Sequence, residues 1–432
     1  MLHTSILLHA SSLLALATCN PINSPLTLST PPSPNHNITI PLFSDLEQLS
    51  RLVDIAYCVG GTGISHPFLC ASRCGDFPSF ELVTEWCTGE LLSDGCGYIA
   101  LDNKGGRVVV AFRGTYSISD TIVDLSTVPQ AYVPYPEDGK TGEEVRRGGW
   151  KWWGWIPVGY RTDDPVLGMV EKEKRRCENC TVHTGFWSAW QNTRPFVLPP
   201  LEEIKKEHPE YRIDLVGHSL GGAVAALAGL EFEGKGWEPV LTTFGEPRIG
   251  NGGLRDYLDA NFHPDKEGEG DGGRYRRVTH VDDPVPLLPL QEWGYRPHAG
   301  EIYISKPALQ PALHDVRLCD GDEDLDCIAG ADVEEDWFGR FTTGELERYM
   351  QGSEMVGGEE QEVLAKRWGI PIPSRYKMWQ LFFAHRDYFW RLGLCVPGGD
   401  PLDWGRERYG FGEEDGKSEV QSEGEGKGKG DL

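Results

Sequence analysis

After its first seventeen residues, this chain of 432 residues has no apolar run long enough to cross a bilayer. The early run, Ile6 to Ala17, is itself too short to span comfortably and leads into small residues, so 1–17 reads as a secretory signal. Positive charge is also scarce. Forty-one Lys and Arg face 66 Asp and Glu, a net charge of −25. That excess argues against nucleic-acid partners and against charge-driven adhesion to anionic membranes. Internal repeats are missing. Cys177-x-x-Cys180 has no second such pair and no His-rich partner, so zinc is not expected. Residues 320 to 336 carry nine acids and no base, and Asp320, Asp322, Asp324 and Asp326 alternate as in a calcium loop. An EF-hand, however, needs Gly and Glu where Leu325 and Ala331 stand, so a solvated acidic loop is the reading. No metal and no cofactor is expected.

What is present points to an exported α/β protein. The cysteines number 11, and with Cys19 set aside at the leader ten remain, an even set that favours structural disulfides. Asn37 and Asn179 head glycosylation sequons. Residues 18–43 are rich in Pro, Ser and Thr and read as a loose leader. Ser44-Asp45-Leu46-Glu47 has a capping-box pattern, so the globular part is expected from 44. Cys70 to Cys96 reads as a stapled irregular stretch. Residues 97–101 and 107–112 read as paired strands, the second ending in Arg113-Gly114-Thr115. Further strands are expected at 240–244 and 275–281, and a helix ending near Glu207. Alternating strands and helices imply a mostly parallel sheet carrying active groups at its carboxyl edge. From 401 to 432 an acidic, Gly-rich disordered tail is expected.

Tyr211 to Leu230, YRIDLVGHSLGGAVAALAGL, is the stretch that bears chemistry. A short apolar strand runs into Gly217-His218-Ser219-Leu220-Gly221, and a small-residue helix follows. This is the layout of a nucleophile elbow, in which a serine stands on a strained turn at the end of a strand. Such a serine needs a base, an acid to orient that base, and a second oxyanion donor elsewhere in the chain. The pentapeptide alone does not supply them.

Several segments, in order, resemble the secreted fungal class 3 lipases of the α/β-hydrolase fold: GYIALD (97–102), VVVAFRGT (108–115), CENCTVHTGFWSAW (177–190), FGEPRIGN (244–251), YRRVTHVDDPVPLLP (275–289) and AHRDYF (384–389). The likeness runs from about 46 to 396, within a domain at 44–400 interrupted by large insertions at 126–176 and 306–375. It implies Ser219 as nucleophile, Asp283 rather than Asp282 as acid, and His385 as base, with Thr115 and Leu220 as oxyanion donors. It implies a lid at 117–125, here with Ser117, Ile118 and Ile122, and with Thr121 where the family has tryptophan. Three disulfides follow from it: Cys58–Cys395, Cys70–Cys74 and Cys177–Cys180. Elimination and proximity leave Cys87–Cys96 and Cys319–Cys327. His218 and His183 are expected as supporting residues, His298 and His314 on surface loops.

The implied activity is a secreted serine carboxylester hydrolase, a triacylglycerol lipase acting through an acyl-enzyme. It is expected to be monomeric, to need no cofactor and to meet an ester substrate at a lipid–water interface. A feruloyl-type or other carbohydrate esterase, or a phospholipase, shares the fold, and an inactive lipase-like binding protein stands further off. Trp150 to Trp155 hold four tryptophans, as core packing or as an anchor at the lipid headgroup level.

Overall fold

The computed structural model of the protein describes residues 38–88, 95–115, 129–132, 177–263, 273–333, 383–404, 406 and 409. Strands β1 (Phe80–Cys87), β2 (Cys96–Asp102) and β3 (Arg107–Phe112) form an antiparallel meander. Short strands β4 (Pro129–Ala131) and β5 (Thr181–His183) follow, then β6 (Arg212–His218), β7 (Val240–Phe244), β8 (Gly250–Asn251) and β9 (Tyr275–His280). The last are β10 (Tyr295–Arg296), β11 (Glu301–Ile304) and β12 (Val316–Leu318). Eight of them form one sheet in the order β1-β2-β3-β6-β7-β9-β11-β12. From β3 to β11 every pairing is parallel, so the carboxyl ends of β3, β6, β7 and β9 share one edge. A smaller antiparallel sheet joins β10, β8, β5 and β4.

Both faces of the large sheet are covered, which is why its central strands are apolar throughout rather than alternating. Successive side chains of β3 point to opposite faces. Val108, Val110 and Phe112 pack with helices α2 (Thr184–Glu207) and α3 (Leu220–Gly234) through Phe186, Trp190, Ala223 and Leu227. Val109 and Ala111 face the other way, onto Leu46, Leu49 and Val53 of α1 (Ile40–Ile55) and onto Tyr388, Phe389, Trp390 and Leu392. Each side chain so buried contributes about 1.5–3 kcal/mol before entropy is charged against it. One layer on the second face is therefore not a helix but the irregular segment 383–404.

The structure departs from the sequence reading at both ends of the domain and at two places within it. The first helix begins at Ile40, not near Ser44: Thr39 accepts from the Leu42 N–H at 3.3 Å, and Pro41 sits in the first turn, where its missing N–H costs nothing. Leu42 and Phe43 are buried, so the leader does not extend to 43. The stretch between Cys70 and Cys96 holds a full strand, β1, paired along β2. Residues 306–333 are not wholly an insertion, since β12 extends the sheet beyond β11 and the Ile328 N–H reaches the buried Glu301 carboxylate at 3.1 Å. Nor does disorder start at 401. Asp403 is buried, and its carboxylate accepts from Arg73 at 3.1 Å and from the Arg391 N–H at 2.9 Å. Tyr409 packs edge-on to Phe43, ring centroids 5.1 Å apart.

Five disulfides tie these parts: Cys58–Cys395, Cys70–Cys74, Cys87–Cys96, Cys177–Cys180 and Cys319–Cys327. Among the described residues no helix is long and apolar enough to cross a membrane.

Candidate active site

Ser219 sits between the buried strand β6 and the first residue of α3 with φ 58° and ψ −130°. A side chain in that region of backbone space is strained, and it persists because the surroundings over-determine it. The Ser219 N–H donates to the Phe244 carbonyl at 2.9 Å, locking the turn to the end of β7. Arg113-Gly114-Thr115 leaves β3 on the same edge. A Cβ on Gly114 would lie 3.0 Å from Ser219 Cβ and 2.5 Å from the Tyr57 hydroxyl, so only glycine brings this turn against the serine. Thr115, half-buried, follows directly, and Leu220 opens α3, whose first N–H groups lack partners within the helix. The turn after β3 and the N-terminus of α3 thus meet at Ser219.

Asp282 turns the chain after β9 with φ 67° and is exposed, whereas Asp283 is 1% exposed. The Asp283 carboxylate accepts from the Val285 N–H at 2.9 Å and the Tyr388 hydroxyl at 2.5 Å. Its two oxygens lie 3.1 and 3.0 Å from His385 Nδ1. Burial alone would raise the Asp283 pKa; the charge and hydrogen bond of His385, with the Tyr388 and Val285 donors, hold it below the usual carboxylate value. A carboxylate only accepts, so His385 Nδ1 carries the proton and Nε2 presents its lone pair. Ser219 Oγ and His385 Nε2 are both buried, and neither has a hydrogen-bond partner among the described residues. Gly245, with φ 59°, closes the joint. A Cβ there would come within 2.6 Å of the Tyr388 hydroxyl, 2.9 Å of His385 Cε1 and 3.0 Å of Asp283 Oδ2.

Over most of its length the chain is similar to known proteins. The family model described as lipase (class 3) matches residues 109–293. A secreted mono- and diacylglycerol lipase 2 from Gibberella zeae is 51% identical over 393 residues, 88% of each chain. Lipase A from Sodiomyces alcalophilus is 47% identical over 408 residues, 89% of each. The chain belongs to the class 3 lipases. A crystal structure of Lip2 lipase from Yarrowia lipolytica superposes with a TM-score of 0.60 at 26% identity, covering 83% of this chain and 97% of that one. The lipase is accordingly a secreted carboxylic ester hydrolase of the α/β-hydrolase fold.

Around the site the lipase holds residues that sequence reading passed over or treated as landmarks. The His218 Nε2 lies 2.7 Å from the His385 carbonyl, which can only accept, so Nε2 carries the proton. His218 Nδ1 therefore accepts from the Tyr57 hydroxyl at 2.5 Å. Burial, reinforced by the neighbouring His385, pushes the His218 pKa down to about 3, so this ring is neutral. Tyr388, held well above its ordinary pKa by burial and by Asp283, likewise stays a donor. Tyr57 lies in IAYC and Tyr388 in AHRDYF, yet nothing in those strings shows which atoms they meet.

Other expected residues fall elsewhere. His183 caps α2, its Nδ1 accepting from the Phe186 N–H at 3.4 Å. His298 is not on a surface loop: it is buried, with Nε2 3.0 Å from Glu246 and Nδ1 2.9 Å from the Ala299 carbonyl. His314 is exposed. Asn179 is exposed with φ 55°. Glu301, Cys319 and Cys327 cluster, but the two sulfurs form a disulfide and the carboxylate already bonds Thr279 and Arg277, so they form no metal site. Ser117, Ile118, Ile122, Asn37 and Trp150 to Trp155 lie outside the described residues.

Proposed function

We propose that the lipase cleaves acylglycerol esters through an acyl-enzyme on Ser219, with His385 as general base and Asp283 as its orienting acid. The observation that carries this is the pair of buried, unpartnered atoms, Ser219 Oγ and His385 Nε2, beside a carboxylate that holds His385 Nδ1. His385 Nε2 takes the Ser219 proton as Oγ attacks the ester carbonyl. The Thr115 and Leu220 N–H groups receive the oxyanion, a contribution of roughly 2.7–4 kcal/mol for a donor of this kind. Collapse breaks the C–O bond to glycerol, whose alkoxide takes the proton from Nε2. Water, activated by the same nitrogen, then releases the fatty acid and frees Ser219.

The substrate class follows from the relatives' names, which point to mono- and diacylglycerols rather than to the triacylglycerol that the motifs alone suggest. We take the lipase to act as a monomer on such esters at a lipid–water interface. Ser219→Ala should abolish turnover while the melting temperature holds; purified variant that still turns over would refute the mechanism. Rates on diolein and monoolein should exceed those on triolein, phospholipid and methyl ferulate. Faster methyl ferulate cleavage would overturn the substrate reading and leave the serine mechanism standing.

A further inference from the structure

The candidate base rides on a segment that has almost no regular structure. Between Phe383 and Trp404 the only periodic element is a single 3-10 turn, Pro401–Asp403. Such a segment cannot hold a side chain by its own backbone ladder, so its order must come from anchors. Cys395 is bonded to Cys58, and the Gly393 N–H donates to Asp54 on α1 at 2.9 Å. Asp403 binds Arg73 and the Arg391 N–H. A further anchor touches the residue next to His385. Arg386 spans the segment: its Nε donates to the Leu392 carbonyl, and its Nη2 to Asp400 Oδ2 at 2.9 Å.

Exposed ion pairs contribute little, but this one is not exposed. The Asp400 side chain is 5% accessible and that of Arg386 21%. Asp400 is itself fixed, since Oδ1 accepts from the Leu402 N–H at 2.9 Å and its carbonyl from the Asp403 N–H at 2.8 Å. The Arg386 charge also reaches the site: it adds to the lowering of His218 and opposes the burial that raises Tyr57, the two residues behind the His385 carbonyl. Left unneutralised, a guanidinium one residue from His385 would oppose the imidazolium that forms during turnover.

We infer that Asp400 is a positioning residue for the reaction: through Arg386 it fixes the loop that carries His385 and cancels the positive charge beside it. The inference rests on His385 being the base. It assigns a task to a residue beyond the last cysteine, in a part of the chain outside the stretch where the family likeness was read.

The test uses the full-length lipase and p-nitrophenyl butyrate, a soluble ester that needs no interface. Asp400→Asn keeps an oxygen for the Leu402 N–H and removes the charge. Its kcat should fall about ten-fold, less than the hundred-fold that a misplaced catalytic group costs, while KM stays within two-fold and the fold survives at the assay temperature. In an Arg386→Gln background the same change should add less than two-fold, because the link is already cut. An unchanged kcat, or losses that multiply in the double variant, would overturn the inference. Should Asp400→Asn fail to fold, Arg386→Gln alone reads the link, with the same fall supporting it and full kcat refuting it. His385→Ala separates the two levels: an active His385→Ala enzyme sinks the base assignment itself, whereas a dead one with a normal Asp400→Asn enzyme sinks only the positioning role.

Discussion

The proposed nucleophile and the proposed base of this lipase are held by opposite means. Ser219 stands where a central strand meets a helix, and its turn is set by neighbours within a few residues and by one bond to the adjoining strand end. His385 lies 166 residues later on an irregular segment whose anchors come from α1, from the Cys70–Cys74 loop and from Asp400 before the turn Pro401–Asp403. The first arrangement is local and repeats wherever strand, small residues and helix succeed one another. The second exists only when distant parts have assembled. The elbow should therefore survive damage that releases the base.

The largest expected effect follows from the longest tether. Replacing Cys58 and Cys395 by Ser removes a cross-link between residues 337 apart, for which chain entropy predicts a loss above roughly 4 kcal/mol. Hydrogen exchange should speed up first in 383–404 and leave β6 and α3 protected; uniform acceleration would mean the two regions are one cooperative unit.

Acid should act on the joint between the regions, since His218 ends β6 and holds the His385 carbonyl. With its folded pKa depressed to about 3 from 6.5, His218 binds fewer protons folded than unfolded in that window. Its contribution is thus fully present above 6.5 and lost as pH falls toward 3, on the order of 5 kcal/mol at the limit. Asp54, raised by burial to about 6 from 3.8, works the other way, contributing below 3.8 and losing that contribution as pH rises through 6. His218→Asn, measured by denaturant unfolding at pH 7 and pH 4, should lose less stability on acidification than the parent. Equal losses would remove His218 from the acid response.

A smaller loss is expected at Gly245. Alanine there brings a methyl within 3.0 Å of three groups at once, so kcat/KM should drop about hundred-fold; a drop under ten-fold would show slack in the joint. The smallest effect is at Asp282, exposed and left-handed. Asparagine tolerates that backbone, so Asp282→Asn should change kcat/KM by less than two-fold, and a large loss would move the acid assignment away from Asp283.

How much of this was legible depends on the range of the cause. Strand, glycines, serine and small-residue helix sit within twenty residues, so the elbow could be read without any partner. The N-terminus of α1 was readable too, from Thr39 and Pro41, but the stronger-looking pattern at Ser44 drew the boundary too late. β1 was missed because the cysteine-dense, turn-rich stretch around it suggested irregularity, whereas pairing with β2 decided it. The burial of His298 against Glu246 joins residues 52 apart, and no local pattern marks it.

The amino-acid order alone determined the parts whose physics is local: the parallel sheet's buried strands, the strained serine turn, and an acidic, exported, cysteine-paired chain. Tertiary structure alone decided what brings distant polar atoms to one place. It turned Tyr57 and His218 into the backing of the His385 carbonyl, made Tyr388 a donor to Asp283, set Asp400 against Arg386, and drew Asp403 out of an expected disordered tail into a buried ion pair. A single charged residue is solvated at little cost along an isolated chain, and its worth as a partner appears only when folding has removed water from around it and set the opposite charge within reach.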